Sequence, residues 1–203
     1  MITLIRHPPV PAEWKLRCYG ATDVPLAASP AAFVAALVPV LQEQYGETLR
    51  EAAFWHSGRE RTRRPAAELA AALGRPVRED GRLAERNFGS WETQSWDAIH
   101  AATGEAMLGM VTHPDSWAPE GGETTFAHRD RAMGWLEQTI GTAEGRPQIA
   151  VAHGGTIAVL RGTLAGREVA DWLPLIPDYG EAITLARAEL GPLLASVRHG
   201  DER

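Results

Sequence analysis

The sequence predicts an α/β fold: a three-layer sandwich whose central sheet is mostly parallel, with helices on both faces. Three observations predict it. Short apolar runs alternate with helix-patterned segments along most of the chain, and that alternation builds parallel sheets covered on both sides. The runs are too short, and too closely bounded by Gly and Pro, to be helices. Three of them end abruptly in polar groups, at Arg6-His7, at Ser57-Gly58 and at His153-Gly154. In open α/β sheets ligands bind outside the C-terminal ends of the strands.

The first run, Ile2 to Ile5, reads as a buried strand closed by Arg6-His7, and Pro8-Pro9 forbid its continuation. Residues 8 to 26 are loop-like, rich in Pro and Gly. Cys18 to Leu26 looks like a structured loop beside the strand tip, and its Tyr19 and Gly20 are candidate substrate contacts. Residues 29 to 45 predict a helix with Ser29 as N-cap and Pro30 at the first helical position, kinked or split at Pro39. Phe33, Leu37, Val40, Leu41 and Gln44 mark its face. Residues 51 to 57 read as a second strand.

Arg59, Arg61, Arg63 and Arg64 then crowd the start of a helix that runs to about Leu73. Cations are unfavourable at the positive end of a helix macrodipole. An anion held by the helix-start amides and a guanidinium would resolve the conflict. A short extended piece at 76–80 leads to Leu83-Ala84-Glu85 and the apolar anchors Phe88 and Trp91. A helical region over 94–111, with Trp96, Ile99, Met107 and Leu108 inward, and the loop at 112–123 read as an insertion covering part of the site. A helix from about Thr124 to Ile140 follows. Gln148 to His153 repeats the opening pattern, and Gly154-Gly155 with a helix from Thr156 makes a second anion cradle. Residues 182–187 and 193–197 predict late strands. Arg198-His199-Gly200 imitates the opening motif, but nothing after it can form a helix, so it is assigned to the terminus.

The 203 residues suit one domain over 1–203 with the insertion at about 94–123. A net charge of −6 gives no global attraction to nucleic acid or to an anionic membrane. Cys18, the one cysteine, excludes an intramolecular disulfide and a cysteine-rich metal site. No run is long enough to span a membrane. The expectation is a cytoplasmic protein acting on a small phosphorylated substrate, with no cofactor and no metal. The oligomeric state is open, a homodimer included.

If the strand ends meet at one sheet edge, two histidines and at least two arginines surround one cationic pocket in an acidic protein. Its natural ligand is a phosphate dianion. Neutral imidazole is a competent nucleophile at phosphorus. Arg6, Arg61 and His153 would stabilise charge on the transferring group, and Glu85 is the candidate acid for the departing alkoxide.

These residues resemble a known family. Leu4-Ile5-Arg6-His7, Ser57-x-x-x-Arg61, Leu83-x-Glu85-x-x-Phe88-Gly89-x-Trp91, Gly121-Gly122-Glu123-Thr124 and Val151-Ala152-His153-Gly154-Gly155 are similar, in order and spacing, to the motifs of the histidine phosphatase superfamily, the phosphoglycerate mutase-like group. The resemblance implies His7 as the phosphorylated nucleophile, Arg6, Arg61 and His153 as phosphate ligands with Gly154 beside them, and Glu85 as proton donor. The Cys18–Leu26 loop looks most like the α-ribazole phosphatase branch. Pro8 stands where the family usually has Gly, and Pro65 replaces a common Thr. The implied activity is a metal-independent phosphomonoester hydrolase. A non-catalytic phospholigand-binding relative and a phosphomutase are the alternatives. Trp14, Tyr19, Trp96 and Trp117 are candidates for an aromatic wall beside the site.

Overall fold

The computed structural model describes residues 1–185, 188, 190 and 191. Five strands form one sheet in the order β3-β2-β4-β1-β5. They are β1 (Ile2–Arg6), β2 (Ala53–His56), β3 (Val77–Glu79), β4 (Gln148–Ala152) and β5 (Ala182–Leu185). The β1–β4, β2–β4 and β2–β3 pairs are parallel, and β5 alone is antiparallel, against β1. The mostly parallel sheet is therefore as expected. The strands predicted at 193–197, the end of the run at Arg187, and Arg198-His199-Gly200 lie outside the described residues.

Successive side chains of a strand face opposite sides of the sheet, and both sides are dry here. Ile2 and Leu4 of β1 and Ala150 and Ala152 of β4 pack with Trp135, Leu136, Ile157 and Leu160. These come from α5 (Thr125–Thr142) and α6 (Gly154–Leu164). Ile5, Ile149 and Val151 pack on the other side with Phe33, Leu37, Leu41, Ala66 and Leu69, from α1 (Ala31–Tyr45) and α2 (Glu60–Ala72). Burial on both faces is why β1 and β4 are mostly apolar.

Three boundaries differ from the sequence reading for identifiable reasons. Helix α1 starts at Ala31, with Ser29 Oγ accepting from the Ala31 amide at 3.3 Å, and Pro39 does not split it. Pro39 is on the solvent side, so the carbonyl left without its helical partner is open to water. Val40 is 46% exposed and does not join the face. The 94–111 region is not one helix. It consists of α3 (Trp96–Thr103), a 3₁₀ stretch (Gly104–Leu108) and the short α4 (Gly109–Thr112). Gly104, at φ 54°, breaks it, and Leu108 turns out to solvent at 53% exposure. Finally, Gly154 and Gly155 are not a turn before the helix but its first residues, with His153 as N-cap. Strand β4 therefore runs into α6 without a loop.

The parallel register aligns Arg6 with Ala152 and His56 with Val151. The residues that follow, His7, Ser57 and His153, therefore emerge at one edge. The register is secured from the core. Replacing the fully buried Leu4 by Ala should lower unfolding free energy by about 2–5 kcal/mol. Chemical denaturation checks this, and a loss below about 1 kcal/mol would contradict the tight packing described.

Candidate active site

His7 is buried and sits at the tip of β1, its amide bonded to the Ala152 carbonyl at 3.0 Å. The ring Nδ1 lies 2.7 Å from the Pro8 carbonyl oxygen. A carbonyl only accepts, so Nδ1 carries the proton and Nε2 keeps its lone pair. Burial, and then the field of Arg61, hold the His7 pKa down to about 3. The departure at Pro8 therefore leaves the orienting group intact, because proline lacks an N–H but keeps its carbonyl.

His153 packs edge-on against His7 with ring centroids 5.4 Å apart. Its Nε2 is 2.7 Å from Ser57 Oγ, and Ser57 Oγ is 2.8 Å from Thr62 Oγ1, which donates to the Arg59 carbonyl. Its Nδ1 accepts from Arg61 Nε at 3.3 Å. That contact makes Nδ1 an acceptor, so the proton of the neutral ring is on Nε2. Burial first, then Arg61, push the His153 pKa well below the ordinary histidine value.

Arg61 is fully buried and is in no ion pair among the described residues. Its Nη1 donates to the Thr22 carbonyl, and its Nη2 to the Tyr19 and Gly20 carbonyls. Tyr19 and Gly20 thus position Arg61 through their backbone while both line the cleft. Gly20 must be glycine, since a Cβ would lie 1.8 Å from the Arg86 carbonyl oxygen. Arg6 donates Nη1 to the Pro177 carbonyl at 2.7 Å and lies over the Tyr179 ring, 3.8 Å from its centroid. Arg6 Nε is buried with no hydrogen-bond partner, a donor that an incoming anion would satisfy.

Glu85 enters from the segment after β3. Its Oε2 accepts from the Gly155 amide at 2.9 Å and its Oε1 from the Arg86 amide at 3.0 Å. Arg131 secures the segment by donating to the carbonyls of Arg82, Ala84 and Glu85 and pairing with Glu123 at 2.6 Å. The glycine at 155 serves close approach, because a Cβ there would sit 2.5 Å from Glu85 Oε1. The expected amide cradle is thereby corrected. The Gly155 amide is committed to Glu85, and the Glu60 amide at the start of α2 accepts no outside anion because Asp23 Oδ1 occupies it at 2.8 Å. Of the four arginines near that helix start, only Arg61 lines the cleft. Arg63 and Arg64 are exposed, because the inward stripe of α2 is formed by Arg61, Thr62, Pro65, Ala66, Leu69 and Ala70.

Sequence reasoning gave no role to three residues. His128 of α5 is buried, with Nε2 3.1 Å from Thr156 Oγ1 and 3.8 Å from Glu85 Oε1. Thr156 Oγ1 spends its proton on the Ala84 carbonyl, so His128 Nε2 is the donor. Tyr179 bridges to Tyr19 through their hydroxyls at 2.8 Å, above His7. Ser57 orients His153. His128 had a signal in hindsight, being a polar residue within the inward stripe of α5. Tyr179 had none, since its loop is far away in sequence.

His7, Arg6, Arg61, Glu85, His153 and Gly154 line one cleft of about 470 Å³. Of the proposed aromatic wall, Tyr19 and Trp96 line it and Phe88 and Trp172 join them. Trp14 only packs on Tyr19, and Trp117 packs on Trp91. Cys18 is buried, and burial with the nearby Glu92 pushes its thiol up to about 12, so it is inert. Among the described residues no cluster of three His, Cys, Asp or Glu could hold a metal ion, and no helix is long and apolar enough to cross a membrane.

Two outcomes follow from this geometry. His7, His128 and His153 are all held below 6.5 when folded, whereas the unfolded chain titrates them near 6.5. The unfolded state then binds more protons, so stability is full above about pH 6.5 and falls as pH drops through the window down to about 3. Denaturation at pH 7.5 and pH 5 checks the sign. Second, Gly155→Ala should displace the Glu85 carboxylate. A crystal structure of the variant should show Glu85 Oε2 moved off the residue-155 amide that it accepts from at 2.9 Å, with a near-native melting temperature.

The comparisons with known proteins agree with this arrangement. The histidine phosphatase superfamily (branch 1) matches residues 2–199. A glucosyl-3-phosphoglycerate phosphatase of Mycolicibacterium vanbaalenii is 36% identical over 130 residues, 59% of this chain and 57% of the relative. A probable phosphoglycerate mutase of Erwinia tasmaniensis is 29% identical over 126 residues, 61% of this chain and 59% of the relative. The matched segment thus spans little more than half the length of these relatives. The solved mycobacterial glucosyl-3-phosphoglycerate phosphatase in complex with VO3 superposes with a TM-score of 0.70 at 27% identity, covering 85% of each chain. A Bacillus stearothermophilus protein shares the fold, with a TM-score of 0.75 at 22% identity over 91% of each chain. The phosphate-shaped cluster at the strand tips and the match along nearly the whole chain have one meaning: the protein belongs to the histidine phosphatase superfamily.

Proposed function

We propose that the protein is a phosphomonoester hydrolase that acts on a small phosphorylated metabolite through a phosphohistidine at His7. The observation that carries the reading is the His7 tautomer. Pro8 holds the proton on Nδ1, so the unprotonated Nε2 is available within a cleft that also holds Arg6 and Arg61.

In the first step Nε2 of His7 attacks phosphorus, the ester P–O bond breaks, and Glu85 donates its proton to the departing alkoxide. Arg6 and Arg61 offset the charge on the equatorial oxygens. A dianion beside Arg61 offsets part of the cationic field on His153, whose neutrality rests first on burial. In the second step water attacks the phosphohistidine, Glu85 takes the proton from that water, and phosphate leaves. No metal ion is needed to supply nucleophile, charge or proton. The complexes of the solved mycobacterial relative with VO3 and with inorganic phosphate support an oxyanion in this cleft.

For the substrate, the names of the relatives favour a phosphoglycerate derivative, with glucosyl-3-phosphoglycerate first. α-Ribazole phosphate rests on the Cys18–Leu26 loop alone and ranks below it. A phosphomutase, suggested by the second relative's name, differs in passing the phosphoryl group to another hydroxyl rather than to water.

The test is hydrolysis of an aryl phosphate with a chelator present, in wild type and His7→Ala. Wild-type turnover should survive chelation, the variant should lose at least about a thousandfold, and acid-stable but not base-stable labelling would argue against a phosphohistidine. Turnover that persists in His7→Ala overturns the mechanism.

A further inference from the structure

The cleft extends past Glu85 to a mouth that the phosphate chemistry does not use. There it is lined by Phe88, Trp96, Met110 and Val111, and by two cations, Lys15 and Arg17. Among the described residues neither cation is in an ion pair. The remaining cation beyond the phosphate site, Arg86, is committed to the Glu123 carbonyl and Thr125 Oγ1.

The mount of the two cations is fixed. Cys18 N donates to Gln94 O at 2.9 Å, Thr93 N to Cys18 O at 2.7 Å, and Trp96 N to Leu16 O at 3.0 Å. Arg17 Nη1 adds a bond to the Thr93 carbonyl at 2.8 Å, leaving the rest of its guanidinium free. Two exposed cations in no ion pair among the described residues thus line the same cleft in a protein of net charge −6. Arg6, Arg61 and His153 already serve the phosphoryl group.

We propose that Lys15 and Arg17 form a subsite for a carboxylate carried by the alcohol part of the substrate, with Phe88, Trp96, Met110 and Val111 covering the apolar span between carboxylate and phosphate. The substrate is then an acidic phosphomonoester with two separate anionic ends. This rests on the reading that the inner cleft takes the phosphoryl group. Arg17, tied through Nη1 to the Thr93 carbonyl, loses little freedom on binding, and the effect of both cations is screened by salt because they are exposed.

The experiment compares 4-(phosphonooxy)phenylacetate with its neutral carboxamide, which match in shape and leaving group. Wild type should prefer the acid roughly tenfold in kcat/KM, the size expected of two exposed ion pairs, and the preference should shrink with ionic strength. It should fall towards unity in the Lys15→Ala/Arg17→Ala variant and invert in Lys15→Glu/Arg17→Glu. Equal rates for acid and amide in wild type overturn the subsite, as does a preference that survives the double alanine substitution. If wild type hydrolyses neither ester, the phosphatase reading fails. Calorimetric binding of the same pair then decides the subsite by the same ratio.

Discussion

A buried guanidinium without a carboxylate partner is the constraint on which the site depends. Burying an unpaired cation is costly unless its donors are satisfied and its charge is compensated. The donors of Arg61 are satisfied by three loop carbonyls and by His153, but carbonyl dipoles do not cancel its charge. An anionic ligand does. Much of the surrounding structure follows from holding Arg61 in place: the Tyr19–Thr22 loop folds back over α2, and Glu92 ties that loop through the Ala21 and Thr22 amides. His153 is kept neutral by burial first and then by the same guanidinium, whose Nε makes Nδ1 the acceptor.

The acid side of the cleft is built by the opposite means. Glu85 is held by backbone amides from Gly155 and Arg86 rather than by a cation, and the cations beside it are engaged elsewhere. Arg86 bonds the Glu123 carbonyl and Arg131 pairs with the Glu123 side chain. The Gly121-Gly122-Glu123-Thr124 segment thus does structural work for Glu85: Glu123 fixes Arg131, Arg131 fixes the backbone that carries the acid, and Thr124 caps α5, which carries His128. His7 and Glu85 are separately mounted, one on a strand tip and the other on a clamped loop, so each keeps its own environment.

Beyond the positions proposed for phosphate, acid and nucleophile lies a part of the cleft whose character belongs mainly to two segments far apart in sequence. The loop after β1 brings the cations and α3–α4 brings the apolar side chains, and a short stretch of backbone hydrogen bonds joins them. Substrate choice can therefore change by altering these segments without disturbing the strand tips.

The strand-tip residues were legible in the sequence because their signal is local. An apolar run that ends in Arg6-His7 or His153 is read from adjacent residues, and the parallel sheet follows from the alternation of runs and helices. Glu85 was legible as chemistry but not as geometry, because the amides that hold it come from Arg86 and from α6, a helix about seventy residues away in sequence. In the sequence the glycine pair reads as an anion cradle, whereas Gly155 is required by the Glu85 carboxylate lying against the helix. The sequence by itself determined which residues can do the chemistry and which strand ends carry them, because local pattern and residue type are properties of neighbours in the chain. Only the tertiary structure decided which nitrogen of His7 and of His153 bears the proton, which arginine of four enters the cleft, and that His128 and Tyr179 join it. Those are set by hydrogen bonds and packing between segments that meet only when the sheet has formed.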